Sequence, residues 1–288
     1  MELYLSDLDG TLLTPDATIT DKTRDVLNNL IRDGLHFSVA TARSEATVSQ
    51  ILREVDMQVP VILMNGACIY EMATGRYVRT EALMPEARSM LFATLKKYKI
   101  EGFVYTIDDN RLSTWYEHMD TPAARRFVAE RERRYGKIFT GVNDFDRDLA
   151  DRTIIYYSLT DRQERLAPIY EDFVRSGLMR VEFYRDVYQP GYNYLEICAN
   201  TASKYNAVQY LRRQFGYGKV TCFGDNLNDL PMFEACDERY AVGNALPEVK
   251  RQANAVIGSN TEDGVALWLH RHAGRQSVNQ PILDESDR

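Results

Sequence analysis

Residues 1–83 alternate short apolar runs with amphipathic stretches, a rhythm that predicts a parallel sheet wrapped by helices. Residues 3–6 read as a buried strand. Val26, Leu27, Leu30 and Ile31 share one face of a helix that Gly34 can end. Residues 36–40 form the next strand, and Val48, Ile51, Leu52 and Val55 carry helical spacing after it. A third strand is read at 61–64, a turn at Asn65-Gly66, and a hairpin from 68–70 and 77–79 around Thr74-Gly75.

From Met84 the pattern changes. A helix carrying Ala87, Leu91, Leu95 and Tyr98 leads into two strands, 103–107 and 112–116, whose short connection Asp108-Asp109-Asn110 implies antiparallel pairing. A helix at 121–135, a strand at 153–159, a helix bearing Leu166, Ile169, Tyr170 and Phe173, and strands at 179–184 and 194–198 complete this segment. After Asn200 the alternation returns: a helix face of Ala207, Val208, Leu211 and Phe215, a strand at 219–223, a helix at 230–235, strands at 240–242 and 255–257, and a helix at 265–269. The reading is an α/β fold with a Rossmann-like parallel-sheet core from residues 1–83 and 200–272. An α+β domain is inserted at 84–199, and 273–288 is a polar, aperiodic, frayed tail.

Composition fits one larger and one smaller domain in 288 residues, since 44% hydrophobic residues supply core material for a globular chain. A net charge of −7 argues against nucleic acid or an anionic membrane surface as partner, both of which need a basic face. Cys68, Cys198, Cys222 and Cys236 are widely spaced, which favours buried thiols over disulfides or a zinc site. No run is long enough to span a membrane, and Met1-Glu2-Leu3-Tyr4-Leu5 leads straight into the first chemical motif, so a cytoplasmic location is expected.

That motif is Asp7-Leu8-Asp9-Gly10-Thr11. It sets two carboxylates at the carboxyl end of a parallel strand, where open α/β sheets bind ligands. Thr41 puts a hydroxyl at the end of the second strand, beside the free amides of a helix start. Ser203-Lys204 opens another helix, and a lysine in a first helical turn is disfavoured unless an anion lies near. Gly224-Asp225-Asn226-Leu227-Asn228-Asp229 follows an apolar strand with an oxygen-rich loop suited to Mg²⁺. Singly these have everyday readings as a glycine turn, a capping threonine, a surface lysine and an Asx-rich turn. Together, each at a strand end or helix start, they point to phosphoryl chemistry, in which in-line positioning and charge neutralisation do most of the work.

The four segments, in this order, resemble the haloacid dehalogenase superfamily over nearly the whole chain. The insert between Thr41 and Lys204 resembles the C2-type cap of the Cof-type phosphatases. The resemblance implies Asp7 as the nucleophile that becomes an aspartyl phosphate. It implies Asp9 as the acid that protonates the leaving oxygen and then the base that activates water. Gly10, Thr41, Ala42, Lys204 and Asn228 would hold the phosphoryl group, and Mg²⁺ would sit among Asp7, Asp225, the carbonyl of Asp9 and nearby Asp229. Ala42 and Tyr205 depart from the glycines frequent at those places, which could change how closely amides approach the phosphate or add a ring to the pocket wall.

In the insert, Tyr105, Tyr116, Tyr156, Tyr157, Tyr184, Tyr188, Tyr192 and Tyr194 could stack on a substrate, although most are expected to serve the insert's own sheet. Arg125, Arg126, Arg131, Arg133 and Arg134 alternate with Glu130 and Glu132, which reads as a solvated, ion-paired helix face. The four histidines show no ligand spacing. The expected function is Mg²⁺-dependent hydrolysis of a small phosphate ester by a monomer or homodimer. A phosphomutase or phosphotransferase using the same intermediate is the alternative, and a non-catalytic phosphate binder the third reading.

Overall fold

The computed structural model describes residues 1–186 and 190–273. Tyr188 and the tail beyond 273 lie outside the described residues. The chain begins with β1 (Glu2–Ser6), α1 (Asp21–Arg32), β2 (His36–Val39), α2 (Glu45–Ile51), β3 (Val61–Leu63), β4 (Cys68–Glu71) and β5 (Arg76–Thr80). The middle holds α3 (Pro85–Tyr98), β6 (Phe103–Asp108), β7 (Arg111–Tyr116), α4 (Pro122–Tyr135), β8 (Phe139–Gly141), α5 (Phe145–Asp148), β9 (Ile154–Arg162), α6 (Gln163–Ser176), β10 (Met179–Arg185) and β11 (Tyr192–Ala199). Last come α7 (Lys204–Phe215), β12 (Lys219–Gly224), α8 (Leu230–Ala235), β13 (Glu238–Ala241), α9 (Pro247–Gln252), β14 (Ala255–Val256) and α10 (Gly264–His272).

Strands from the two ends of the sequence build one parallel sheet in the order β14-β13-β12-β1-β2. Leu3 to Ser6 of β1 are buried because helices cover both faces, which is why this strand reads as a continuous apolar run rather than an alternation. The helices form where capping and periodicity agree. Thr20 accepts the Thr23 amide at 3.0 Å to start α1, Leu27, Leu30 and Ile31 face the sheet, and basic Arg32 closes the last turn. Truncating a residue such as Leu27, fully buried, would cost about 2–5 kcal/mol. The strand order reverses around β1, with β2 on one side and β12 on the other, so a crevice opens beyond the carboxyl ends of these three strands.

The strand read at 61–64 differs from expectation. β3 touches the parallel sheet through one bridge, Ala40 to Ile62, and otherwise pairs antiparallel with β4 in a β3-β4-β5 sheet. The physical reason is the reversal that follows, where Asn65 and Gly66 take φ of 53° and 93°.

The middle segment forms a six-stranded sheet ordered β10-β11-β9-β6-β7-β8. β8 was not foreseen, since Phe-Thr-Gly is too short to show a period; it adds parallel to β7. One face of this sheet packs on α3, α5 and α6 through Leu91, Phe92, Phe145, Tyr157, Leu166 and Phe173. On the other face, Tyr105, Tyr156 and Cys198 join the apolar core beneath the parallel sheet's crevice. Tyr156 and Tyr157 thus serve opposite faces, as strand alternation requires.

Other element edges shift where charged ends lack an apolar signature. β13 starts at Glu238 to pair with Thr221, and α10 runs on to His272. Where the chain leaves and re-enters the core, Thr201 Oγ1 donates to the Glu81 carboxylate. All four cysteines are free and buried. Among the described residues no helix is long and apolar enough to cross a membrane.

Candidate active site

Asp7 leaves the end of β1 with its amide bonded to Phe223 O at 3.0 Å, which ties it to the end of β12. The chain then makes a widened turn over Leu8–Leu12, closed by Leu13 N to Leu8 O at 2.9 Å. Gly10 is required here twice over. Its φ is 80°, and a Cβ at this position would lie 2.4 Å from Asp225 Oδ2. Buried Thr11 donates to Asp225 Oδ1 at 2.9 Å, so the first motif physically orients the last.

Lys204 occupies the first turn of α7, where the helix end repels its charge, and two carboxylates offset that cost. Its Nζ donates to Asp7 Oδ1 at 2.8 Å and to Asp229 Oδ1 at 2.7 Å, with the lysine only 1% exposed. Gly66 makes the approach possible, because a Cβ there would stand 2.2 Å from Ser203 O. The second oxygen of Asp229 accepts the amides of Asp225 at 2.9 Å and Asn226 at 3.1 Å. Asp229 is therefore an anchor that holds both the lysine and the loop.

Carboxylate oxygens of Asp7, Asp225 and Asp229 lie within 4.8 Å of one another, and a single ammonium does not balance three buried negative groups. Burial, then the charge of Asp229, push Asp7 up to about 8, with Lys204 pulling the other way. Asp225 is driven well above the ordinary carboxylate range by burial, then by Asp229 and Asp7. Burial acts against the charge on Lys204, yet Asp229 and Asp7 outweigh it and hold its pKa above the ordinary value. A compact cluster of hard oxygens with surplus negative charge fits a divalent cation such as Mg²⁺. Asp7 and Asp225 could bind it through their carboxylates, with Asp229 behind them.

The Asp9 side chain points to the rim, where Arg43 grips both oxygens, Nε to Oδ2 at 2.6 Å and Nη2 to Oδ1 at 2.5 Å. Arg43 Nη1 also donates to the Tyr135 hydroxyl of α4 at 3.1 Å, linking the core to the inserted domain. Thr41 is buried, its amide bonded to Ile62 O at 2.9 Å and its Oγ1 accepting the Arg43 amide at 3.2 Å. Asn228 Nδ2 donates to Asn65 Oδ1 at 3.2 Å, and Asn65 Nδ2 reaches Glu196 Oε2 at 2.8 Å and the Tyr156 hydroxyl at 3.1 Å.

These groups surround a cleft between the parallel sheet and the six-stranded sheet. Asp7, Asp9, Thr41, Ala42 and Asn228 line it from below, and Tyr105, Tyr156, Tyr184 and Tyr194 from above. Lys204, Asp225 and Asp229 meet Asp7 at its floor, and Gly10 packs on Asp225. Tyr205 packs against the apolar core instead of adding a ring to the cleft. Arg131 corrects the reading of α4 as a wholly solvated face. It pairs with Glu130 at 3.1 Å, but its guanidinium lies 3.6 Å over the Phe127 ring and lines the cleft.

The sequence reading gave no site role to Thr11, which closes the first motif, to Asn65, read as a turn, or to Arg43, Lys137 and Glu196. Glu196 had a signal, a lone acid in the apolar run Tyr194-Leu195-Glu196-Ile197-Cys198. Arg43 and Asn65 had only proximity to residues already singled out.

The sequence pattern of haloacid dehalogenase-like hydrolases matches residues 4–269, and the chain belongs to that family. Curated proteins similar to it over nearly their whole length are named phosphatases. The chain is 28% identical to phosphatase YwpJ of Bacillus subtilis, over 93% of this chain and 99% of that protein. It is 25% identical to pyridoxal phosphate phosphatase YbhA of Escherichia coli, over 92% of this chain and 96% of that protein. The fold matches a haloacid dehalogenase-like hydrolase structure from B. subtilis with a TM-score of 0.78 at 23% identity, over 94% of this chain and 99% of that one.

Proposed function

We propose that this phosphatase hydrolyses a small, soluble phosphate monoester in a Mg²⁺-dependent reaction, with Asp7 as the nucleophile. The observation that carries the reading is the Lys204 ammonium clamped between Asp7 and Asp229 at the floor of a cleft, next to Asp225. Asp7 and Asp225, with the carbonyl of Asp9, would hold the metal, which supplies the positive charge that lets a carboxylate approach a phosphate dianion. Lys204, Thr41, Asn228 and the backbone at Gly10 and Ala42 hold the phosphoryl oxygens. The Asp7 carboxylate attacks phosphorus in line as the ester oxygen departs with a proton from Asp9. Water, losing its proton to Asp9, then attacks the aspartyl phosphate, releases inorganic phosphate and restores Asp7. The pair with Arg43 occupies both Asp9 oxygens and favours the ionised carboxylate, so Asp9 leaves that pair to carry a proton to the ester oxygen.

Residues 84–199 serve as a cap. Arg134 of α4 donates to Asp16 O at 2.6 Å and Ala17 O at 3.0 Å, and with the Tyr135–Arg43 contact this draws the cap over the cleft and excludes water. A cleft bordered by Tyr105, Tyr156, Tyr184 and Tyr194 favours a metabolite-sized ester, in keeping with the relative named for pyridoxal phosphate. Four buried free thiols fit a reducing, cytoplasmic setting.

The test is phosphate release from an aryl phosphate with Mg²⁺ and with chelator, for the native chain and Asp7→Asn. Release should need the metal and vanish in a variant that melts normally. Equal turnover by that variant refutes the mechanism. With a hexose 1-phosphate, free phosphate supports hydrolysis, and an accumulating isomeric ester supports transfer instead.

A further inference from the structure

Lys137 connects α4 to β8, is 8% exposed, and lines the same cleft as Asp7. Its ammonium rests 4.4 Å from the Tyr105 ring centroid and 5.3 Å from that of Phe139. Among the described residues its only hydrogen-bond partner is Ser44 Oγ, at a long 3.5 Å, and no carboxylate there forms an ion pair with it. Glu45 at the start of α2 attracts it from farther off, while Arg131 on α4 repels it. Burial, then Arg131, lower its pKa to about 7. An ammonium buried over two rings, with no carboxylate in hydrogen-bonding reach among the described residues, is a costly arrangement that a bound anion would relieve.

We propose that Lys137 receives a second anionic group on the substrate, a carboxylate or a further phosphate distinct from the phosphoryl group at Asp7. The inference rests on the hydrolase reading and narrows its substrate to doubly anionic esters. Lys204 already serves the phosphoryl end, and among the described residues Lys137 shares no hydrogen-bond partner with it. Arg131, stacked on Phe127 in the same cleft, extends the positive wall. Beside a buried ammonium a charge-assisted pair is strong, so the second anion should raise affinity about tenfold or more.

Two matched pairs of esters test this: 3-phosphoglycerate against glycerol 3-phosphate, and a hexose 1,6-bisphosphate against the 6-phosphate. The native chain should prefer the doubly anionic member of at least one pair by about tenfold in kcat/KM, expressed in KM. The pair that shows it tells a carboxylate from a phosphate. Lys137→Met should erase the preference, and Lys137→Arg should keep it at pH 8, where the lysine of the native chain is losing its proton. Absence of preference in both pairs overturns the proposal. So does an equal loss for both members, which would place Lys137 at the scissile phosphate, or no effect on either. Calorimetry with the Asp7→Asn chain gives the same comparison as Kd. A chain that hydrolyses neither ester denies the hydrolase reading, while the binding arm still decides the lysine. Should Lys137→Met not fold, the native preference and the arginine variant decide.

Discussion

Glu196 is a carboxyl buried where the cap sheet faces the catalytic core, and its ionisation should be visible in the pH dependence of stability. Burial pushes its pKa from the ordinary 4.5 up to about 7, against the opposing hydrogen bonds of Tyr184, Tyr156 and Ser158. Glu196→Gln preserves an acceptor for Asn65 at 2.8 Å and Tyr184 at 2.7 Å. It also brings an amide donor toward Ser158 Oγ, 3.5 Å from the other oxygen. The unfolded glutamate ionises near 4.5 and the folded one near 7, so between those values the folded state binds the extra proton and loses stability as pH rises. Below the lower value nothing is lost, and above the upper one the loss is complete. At about 1.4 kcal/mol per pKa interval of one, the span amounts to roughly 3 kcal/mol. Glutamine escapes this loss. The variant's stability minus that of the native chain should therefore grow by roughly 3 kcal/mol between pH 4.5 and 7 and then stay level, other titrating groups cancelling in the difference. Urea titrations across that range measure it. A difference independent of pH refutes the argument that this carboxyl is held protonated.

Three further substitutions probe the floor of the cleft and the cap. Lys204→Met leaves Asp7 and Asp229 unneutralised, so turnover should fall by about 10²–10³ while Mg²⁺ raises the melting temperature more than in the native chain; near-native turnover counts against the clamp. Thr11→Val releases Asp225 and should weaken Mg²⁺ affinity by about 10–100-fold, with turnover recovering at high metal; an unchanged half-saturation in a metal titration contradicts it. The Tyr157 hydroxyl is buried without a hydrogen-bond partner among the described residues, so Tyr157→Phe should stabilise the chain by about 1 kcal/mol, and a drop in the denaturation midpoint would show a missed partner.

How much was legible in the sequence follows from where the information resides. The strands flanking the cleft announced themselves because each is an apolar run ending in a polar, chemically pointed residue: Asp7, Thr41 and Asp225. The convergence of Lys204 on Asp7 was readable as an electrostatic anomaly, a cation at a helix start. β8 was invisible, because three residues carry no period and their pairing with β7 is a tertiary event. The antiparallel turn of β3 depended on two residues with positive φ, whose consequence for sheet membership only the packed structure displays. Asn65, Lys137 and Glu196 were missed for a common reason. Their roles arise from the face each presents across the cleft, and although Glu196 stands out as a lone acid in an apolar run and Asn65 as a turn residue, neither mark says what the side chain will meet.

Thr201 and Glu81 clasp each other where the chain departs for the cap and returns. The insertion thus begins and ends at one spot on the core surface, as though a long excursion had been spliced into a single bond. The strands that aim Asp7, Thr41 and Asp225 pair among themselves and with no strand of the insert. The strand ends that gather the acidic cluster and the segment that covers it are in this way separate stretches of chain, hinged on one clasp.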